Sequence, residues 1–156
     1  MSDTLTVPVP VPGSLMTNIN LIGADGARST LEKERGNDKA VVFFMRASTC
    51  PICLAHARTI LKMQDAGELA GARFILIAPG DAGEAKTVQQ RLGSSKASVW
   101  ASGNDHAAAG LGKFLMMQHS GTFVLDDDGR VLFAKTAAMP VASFSRSGVA
   151  TALSTR

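Results

Sequence analysis

Nowhere in its 156 residues does the chain carry an apolar run approaching the roughly 20 residues that cross a bilayer, which argues against a membrane-spanning helix. The N-terminus has no signal-peptide pattern: Asp3 and the prolines Pro8, Pro10 and Pro12 stand where a basic start and a continuous apolar run would be. A cytoplasmic protein with reduced thiols is the expectation. Dense basic runs are missing as well. Arg28, Lys33, Arg35, Lys39, Arg46, Arg58 and Lys62 are scattered, and the formal net charge is only +3. A nucleic-acid binder more often shows a basic stripe or a known module, so no nucleic-acid or membrane partner is expected. Cysteine is scarce: two residues, three positions apart. A bridge closing so small a loop contributes about 2 kcal/mol, against about 5 kcal/mol for a loop of 100 residues. Reactivity explains the spacing better than a structural staple does.

What is present belongs to a globular protein, with 46% hydrophobic and 19% charged residues. The length suits one domain, 1–156, and no repeat, low-complexity segment or linker divides it. Residues 1–16 read as an extended N-terminal segment, because alternating Val and Pro from Thr4 to Pro12 removes backbone donors. Asn18 to Ile22 suits a short strand, Ala24 to Ala27 a turn, and Ser29 or Thr30 the cap of a short helix that Gly36-Asn37 ends. Ala40 to Met45 is a continuous apolar run, as in a strand covered on both faces. A helix follows the cysteines as far as Gly67, then a second buried strand at Arg73–Ala78, then a helix from about Ala82 to Leu92 closed by Gly93. Ala97 to Ala101 reads as a short strand, and Asp105 as the cap of a small helix to about Leu111. Thr122–Leu125 and Arg130–Ala134 flank the turn Asp126-Asp127-Asp128-Gly129, the clearest hairpin in the chain, and a last helix is expected over Val141–Leu153. Early β-α-β-α order with a late hairpin predicts an α/β fold: a mixed central sheet with helices on both faces.

Cys50 and Cys53 stand where a strand feeds directly into a helix. Unpaired N–H groups and the dipole at that helix end favour a thiolate. Pro51 suits the first helical position, where its missing donor costs nothing. Cys53, one turn in, is within reach of Cys50. Two reactions follow from one arrangement: attack on a disulfide, or attack on a peroxide oxygen to give a sulfenic acid that the other cysteine condenses with. Two thiols carry the electrons, and no cofactor is expected.

The stretch VVFFMRASTCPICLAHARTIL resembles the active-site segment of the alkyl hydroperoxide reductase/thiol-specific antioxidant group, the peroxiredoxin-like redoxins. It is most similar to members with Phe-Phe-Arg-Gly-x-Trp-Cys-Pro-x-Cys. INLIGADGARSTL resembles the family's opening β-hairpin, GARFILIAPGDAGEAKTVQQRLG its second strand, turn and helix, and SGTFVLDDDGRVLFA its closing hairpin. The resemblance implies a thioredoxin-like fold with an N-terminal β-hairpin extension, and thiol-dependent reduction of hydrogen peroxide or organic hydroperoxides. It also implies re-reduction by a thioredoxin-like or low-molecular-weight thiol, and leaves a homodimer open. Catalytic roles fall to Cys50 and Cys53, with Arg46 and Thr49 as the charge and hydroxyl beside them. Pro51 and the segment His119-Ser120-Gly121, where relatives place a cis-Pro or an Arg, become the substrate-binding candidates. The family's Pro-x-x-x-Thr/Ser-x-x-Cys is not matched: Ala47 lies three before Cys50, and Cys50 itself three before Cys53. Alignment on Cys-Pro-x-Cys makes Cys50 the attacking residue; alignment by distance from the strand makes it Cys53.

Other readings weigh less. Cys50, Cys53 and His56 have zinc-ligand chemistry, but a closed site wants four ligands, no second Cys/His pair exists, and His119 would complete a set only if the fold brought it close. His56 falls one turn after Cys53 and reads as a partly exposed helix residue with the option of facing a thiol. Phe43, Phe44, Trp100 and Met116-Met117 read as core or site lining. Asp126 to Asp128 lacks the distal Glu of an EF-hand and reads as a turn. Beside the peroxidase stand a thiol-disulfide oxidoreductase acting on protein disulfides and a non-enzymatic redox-sensing module.

Overall fold

A computed structural model describes residues 10–94, 96–103, 113–114, 117–118, 120–137 and 142–154. The elements in chain order are β1 (Asn20–Gly23), β2 (Arg28–Thr30), α1 (Leu31–Arg35), β3 (Ala40–Phe44), α2 (Pro51–Asp65), β4 (Arg73–Ala78), α3 (Ala82–Leu92), β5 (Ser98–Ala101), β6 (Lys113–Phe114), β7 (Met117–Gln118), β8 (Ser120–Leu125), β9 (Val131–Ala137) and α4 (Arg146–Ser154). Seven strands form one mixed sheet in the order β2-β1-β5-β4-β3-β8-β9. β3, β4 and β5 run parallel; β8 pairs antiparallel with β3 and β9 with β8 on one side, and β1 pairs antiparallel with β5 and β2 with β1 on the other. This is the thioredoxin-like arrangement with the expected N-terminal hairpin, β1–β2.

Every residue of β3 is buried, which is why its sequence shows no polar alternation. Val41, Phe43 and Met45 face one core with Leu54, Ala57 and Ile60 of α2, Ala85 and Val88 of α3, and Val149 and Leu153 of α4. Val42 and Phe44 face the other, with Ile75, Ile77, Phe123 and Leu31 of α1. Helices lie on both faces but unevenly: among the described residues, three cover the first core and one short helix the second.

β4 and α3 fall where the sequence predicts them. Thr30 is the cap of α1, its hydroxyl accepting from the Lys33 N–H, and Gly36 closes the helix at φ +62°. Strand β1 starts at Asn20 rather than Asn18, because the Asn18 carboxamide is diverted to accept from the Glu32 N–H at the start of α1. The closing hairpin is longer than expected, reaching from Ser120 to Ala137. Helix α4 begins at Arg146, not Val141. Residues just before it are used otherwise: Thr122 Oγ1 donates to the Ser143 carbonyl at 2.7 Å, and Ser145 Oγ accepts from the Gly148 N–H. The helix expected over 105–111 lies outside the described residues.

Candidate active site

β3 delivers the chain to the carboxyl edge of the parallel strands, and residues 45–49 carry it into α2. Cys50 is the N-cap of α2, with extended backbone at φ −67°, ψ 112°. Its Sγ accepts from the Cys53 N–H at 3.3 Å, the place a serine or aspartate oxygen usually takes. Pro51 occupies the first turn, and no acidic residue there competes with a negative charge on sulfur. Local sequence therefore aims the free amides and the positive end of a 15-residue helix at Cys50.

The two sulfurs have unequal surroundings. Both are free thiols, but Cys50 keeps 5% of its surface exposed and Cys53 none. Cys53 Sγ accepts from the Arg46 N–H at 3.3 Å. Burial pushes the Cys53 thiol up to about 12, helped by its hydrogen bond with Cys50 and opposed by the Arg46 N–H and charge. At neutral pH Cys53 is thus a protonated donor beside Cys50. This arrangement sets one thiol at the start of α2 and keeps a second, protonated thiol in reserve beneath it.

The remaining candidates are dispersed. Arg46 is half-buried at the head of the loop, Thr49 is exposed, and Pro51 is exposed at the helix start. Gly121 pairs with Phe44, so Ser120, the next residue, falls in line with Met45 at the end of β3. Ser120 is fully buried. His119 and Met116 lie outside the described residues. His56 packs edge-on to Phe43, ring centroids 5.8 Å apart, and lies tilted against Phe144 at 5.1 Å. The contact with Phe144 escapes sequence reasoning because residues 142–145 have no periodicity. The carboxylates of Asp126, Asp127 and Asp128 cluster, but Asp126 Oδ1 accepts from the Asp128 and Arg130 N–H groups and closes the turn.

The redoxin family model matches residues 11–153, nearly the whole chain. The chain belongs to the redoxin family. It is accordingly an oxidoreductase, and its two cysteines are where such chemistry can reside. A search of curated proteins finds no match. Solved structures share the fold at low identity. The peroxidoxin BcpB from Mycobacterium tuberculosis is 17% identical with a TM-score of 0.74, covering 93% of this chain and 97% of that one. A thiol peroxidase from Chromobacterium violaceum is 12% identical with a TM-score of 0.81, covering 96% and 89%. Reduced Prx3 from Vibrio vulnificus in complex with hydrogen peroxide is 15% identical with a TM-score of 0.76, covering 92% and 98%. No helix among this redoxin's described residues is long and apolar enough to cross a membrane.

Proposed function

We propose that this redoxin, taken as one domain over 1–156, is a thiol-dependent peroxidase in which Cys50 attacks and Cys53 resolves. The observation that carries the reading is the inequality of the two thiols: Cys50 caps α2 and keeps 5% of its surface exposed, whereas Cys53 is fully buried and held protonated. The Cys50 thiolate attacks one peroxide oxygen. The S–O bond forms as the O–O bond breaks, leaving Cys50 as a sulfenic acid and releasing an alcohol or water. Cys53 sulfur then displaces the sulfenic oxygen; its proton leaves with the departing hydroxide as water, and a Cys50–Cys53 disulfide remains. A thioredoxin-like protein or a small thiol returns both cysteines to the reduced state, with no further cofactor. Peroxide-active names among the structural neighbours support the substrate class, and a cytoplasmic setting with reducing thiols suits the cycle. Stopped-flow measurement of Cys50 oxidation by hydrogen peroxide and cumene hydroperoxide tests it: a rate well above that of free cysteine is expected, and one no faster refutes it.

A second reading, reduction of protein disulfides, is favoured by one feature. Ile52, between the cysteines, is 43% exposed, one of three large apolar side chains so exposed among the described residues. Such a lip could seat a polypeptide beside Cys50. Reduction of a protein disulfide by the reduced enzyme, without peroxide, would establish that activity.

A further inference from the structure

At the opposite end of β3 from the cysteines, the segment before β1, helix α1 and the β8–β9 turn enclose a cavity of about 280 Å³. Its apolar wall is Leu31 and Leu125, both buried, with Met16 packed against the same core. Three charged side chains line it. Glu32 and Asp128 are exposed, whereas Arg35 is only 7% exposed. A guanidinium keeps its charge in any protein, and buried charges are normally paired. Arg35 Nη1 is fastened to the turn, donating to the Asp127 carbonyl at 2.9 Å. Among the described residues its Nε and Nη2 make no hydrogen bond, and the guanidinium joins no ion pair. Nε and Nη2 form one edge of a planar fork, and such an edge matches the two oxygens of a carboxylate. Gly129 decides where that edge lies. A Cβ at this position would come within 3.1 Å of Nη2 and 3.3 Å of Nε, so the guanidinium rests where a side chain would otherwise be.

We propose that this cavity binds a free α-amino acid with an apolar side chain. Its carboxylate is clasped by the Nε–Nη2 edge of Arg35, and its side chain lies against Met16, Leu31 and Leu125. Its ammonium faces the mouth, where the exposed carboxylates of Glu32 and Asp128 set a negative field. The same two carboxylates repel a dianion such as phosphate, which separates the site from a simple anion hole. The cavity lies at the small end of the range for ligand pockets, which suits a ligand of this size. None of these residues belongs to the thiol site, so the inference stands apart from the peroxidase reading.

The test titrates the full reduced chain by calorimetry, with Tm followed in parallel. The probes are L-leucine, L-phenylalanine, L-leucinamide without the carboxylate, N-acetyl-L-leucine without the ammonium, and inorganic phosphate. Leucine or phenylalanine should bind saturably, one per chain, and raise Tm as its concentration rises. Leucinamide should bind at least about tenfold more weakly, the scale of one lost charge-assisted pair. Arg35→Lys keeps the charge but not the fork, and should weaken leucine by a similar factor. If that variant does not fold, Glu32→Gln combined with Asp128→Asn, both at exposed positions, carries the test: leucine should weaken while N-acetyl-L-leucine does not. Absence of heat and of a Tm shift at millimolar leucine and phenylalanine would overturn the inference. So would leucinamide binding as tightly as leucine, which removes the carboxylate clasp, or phosphate as the sole ligand, which marks an adventitious ion only. N-acetyl-L-leucine binding as tightly as leucine would overturn it too, since the occupant would then be a peptide carboxyl terminus.

Discussion

The two ends of the central sheet treat their polar groups differently. At the amino end of β3, beside the β8–β9 turn, the turn-linking groups have found partners. Arg35, only 7% exposed, donates to the Asp127 carbonyl at 2.9 Å, Asp126 closes its turn with two backbone N–H groups, and Arg130 donates to the Gly13 carbonyl. At the carboxyl end, Arg46 Nε and Ser120 Oγ are buried and unmatched beside two free thiols, one of them held far from its ordinary titration range. Polar groups that fold a protein are satisfied in the folded chain. Those that meet a ligand are satisfied only when the ligand arrives. By that criterion the β8–β9 turn is scaffold and the carboxyl end is the candidate site, with Gln64 Oε1 near the end of α2 the exception among the described residues.

The largest effects should come from the cysteines. Serine is a good N-cap, so Cys50→Ser keeps the start of α2 while removing the nucleophile. Peroxide consumption should fall to the uncatalysed background with the fold intact by circular dichroism. Cys53→Ser keeps the attacking thiol and should accumulate a single added oxygen on Cys50, seen by intact mass, with no intramolecular disulfide. If Cys50→Ser instead accumulated the oxygen, the order of attack would be reversed and Cys53 would be the peroxidatic residue.

At the other end the prediction concerns stability alone. Gly129 sits at φ +86°, and an added Cβ would lie 3.1–3.3 Å from the guanidinium of Arg35. Gly129→Ala should destabilise by about 1–2 kcal/mol, the cost of forcing an L side chain into left-handed backbone, read as a lower urea midpoint. The rate of Cys50 oxidation should not change. A large loss of rate would blur the division between the two ends.

A smaller effect ties the thiol pair to folding. Cys53 has an ordinary value of 9.0 and is held near 12 in the fold, so the native state keeps a proton that the unfolded chain gives up. Above about pH 9 the unfolded state binds fewer protons, and the stability of the reduced protein should fall with rising pH, by up to about 1.4 kcal/mol per unit. That slope should be absent from Cys53→Ala measured alongside. Equal slopes in the two proteins would mean that Cys53 is less isolated than its burial suggests.

Much of this contrast was open to sequence reading, and the unreadable part has a common cause. β4, α3 and the Thr30 cap rest on local signals: an apolar run, a glycine at the end, a hydroxyl at the start. The placement of Cys50 at a helix start is local as well. Asn18 could not be separated from a strand residue, because its role as an acceptor depends on α1 folding back beside it. The late start of α4 depends on Thr122 claiming the Ser143 carbonyl and on Phe144 meeting His56, contacts made across the fold. Ser120 was legible as a residue in a suggestive slot. Its lack of a partner is a property of the packed interior.

The smallest predicted effect tests whether satisfaction or location marks a polar group as structural. Asp81 lies at the carboxyl end of β4, on the same side of the sheet as the thiols, yet it is satisfied. It closes a capping box on α3, its carboxylate accepting from the Gly83 N–H at 3.0 Å while Glu84 Oε1 accepts from the Asp81 N–H. The interaction with Glu84 and the Gly83 N–H hold its carboxyl below the ordinary 3.8. A depressed carboxyl contributes stability above its ordinary range and loses it as the pH falls through that range. Asp81→Ala should lower Tm by about 2–4 °C at neutral pH, the scale of one lost cap, and the deficit should shrink in acid as the wild-type cap is protonated. The rate of Cys50 oxidation should match the wild type. A slowed Cys50 would show that position at this edge of the sheet is enough to engage the chemistry; an unchanged rate with a lowered Tm leaves unmatched hydrogen-bonding capacity as the property that separates site from scaffold.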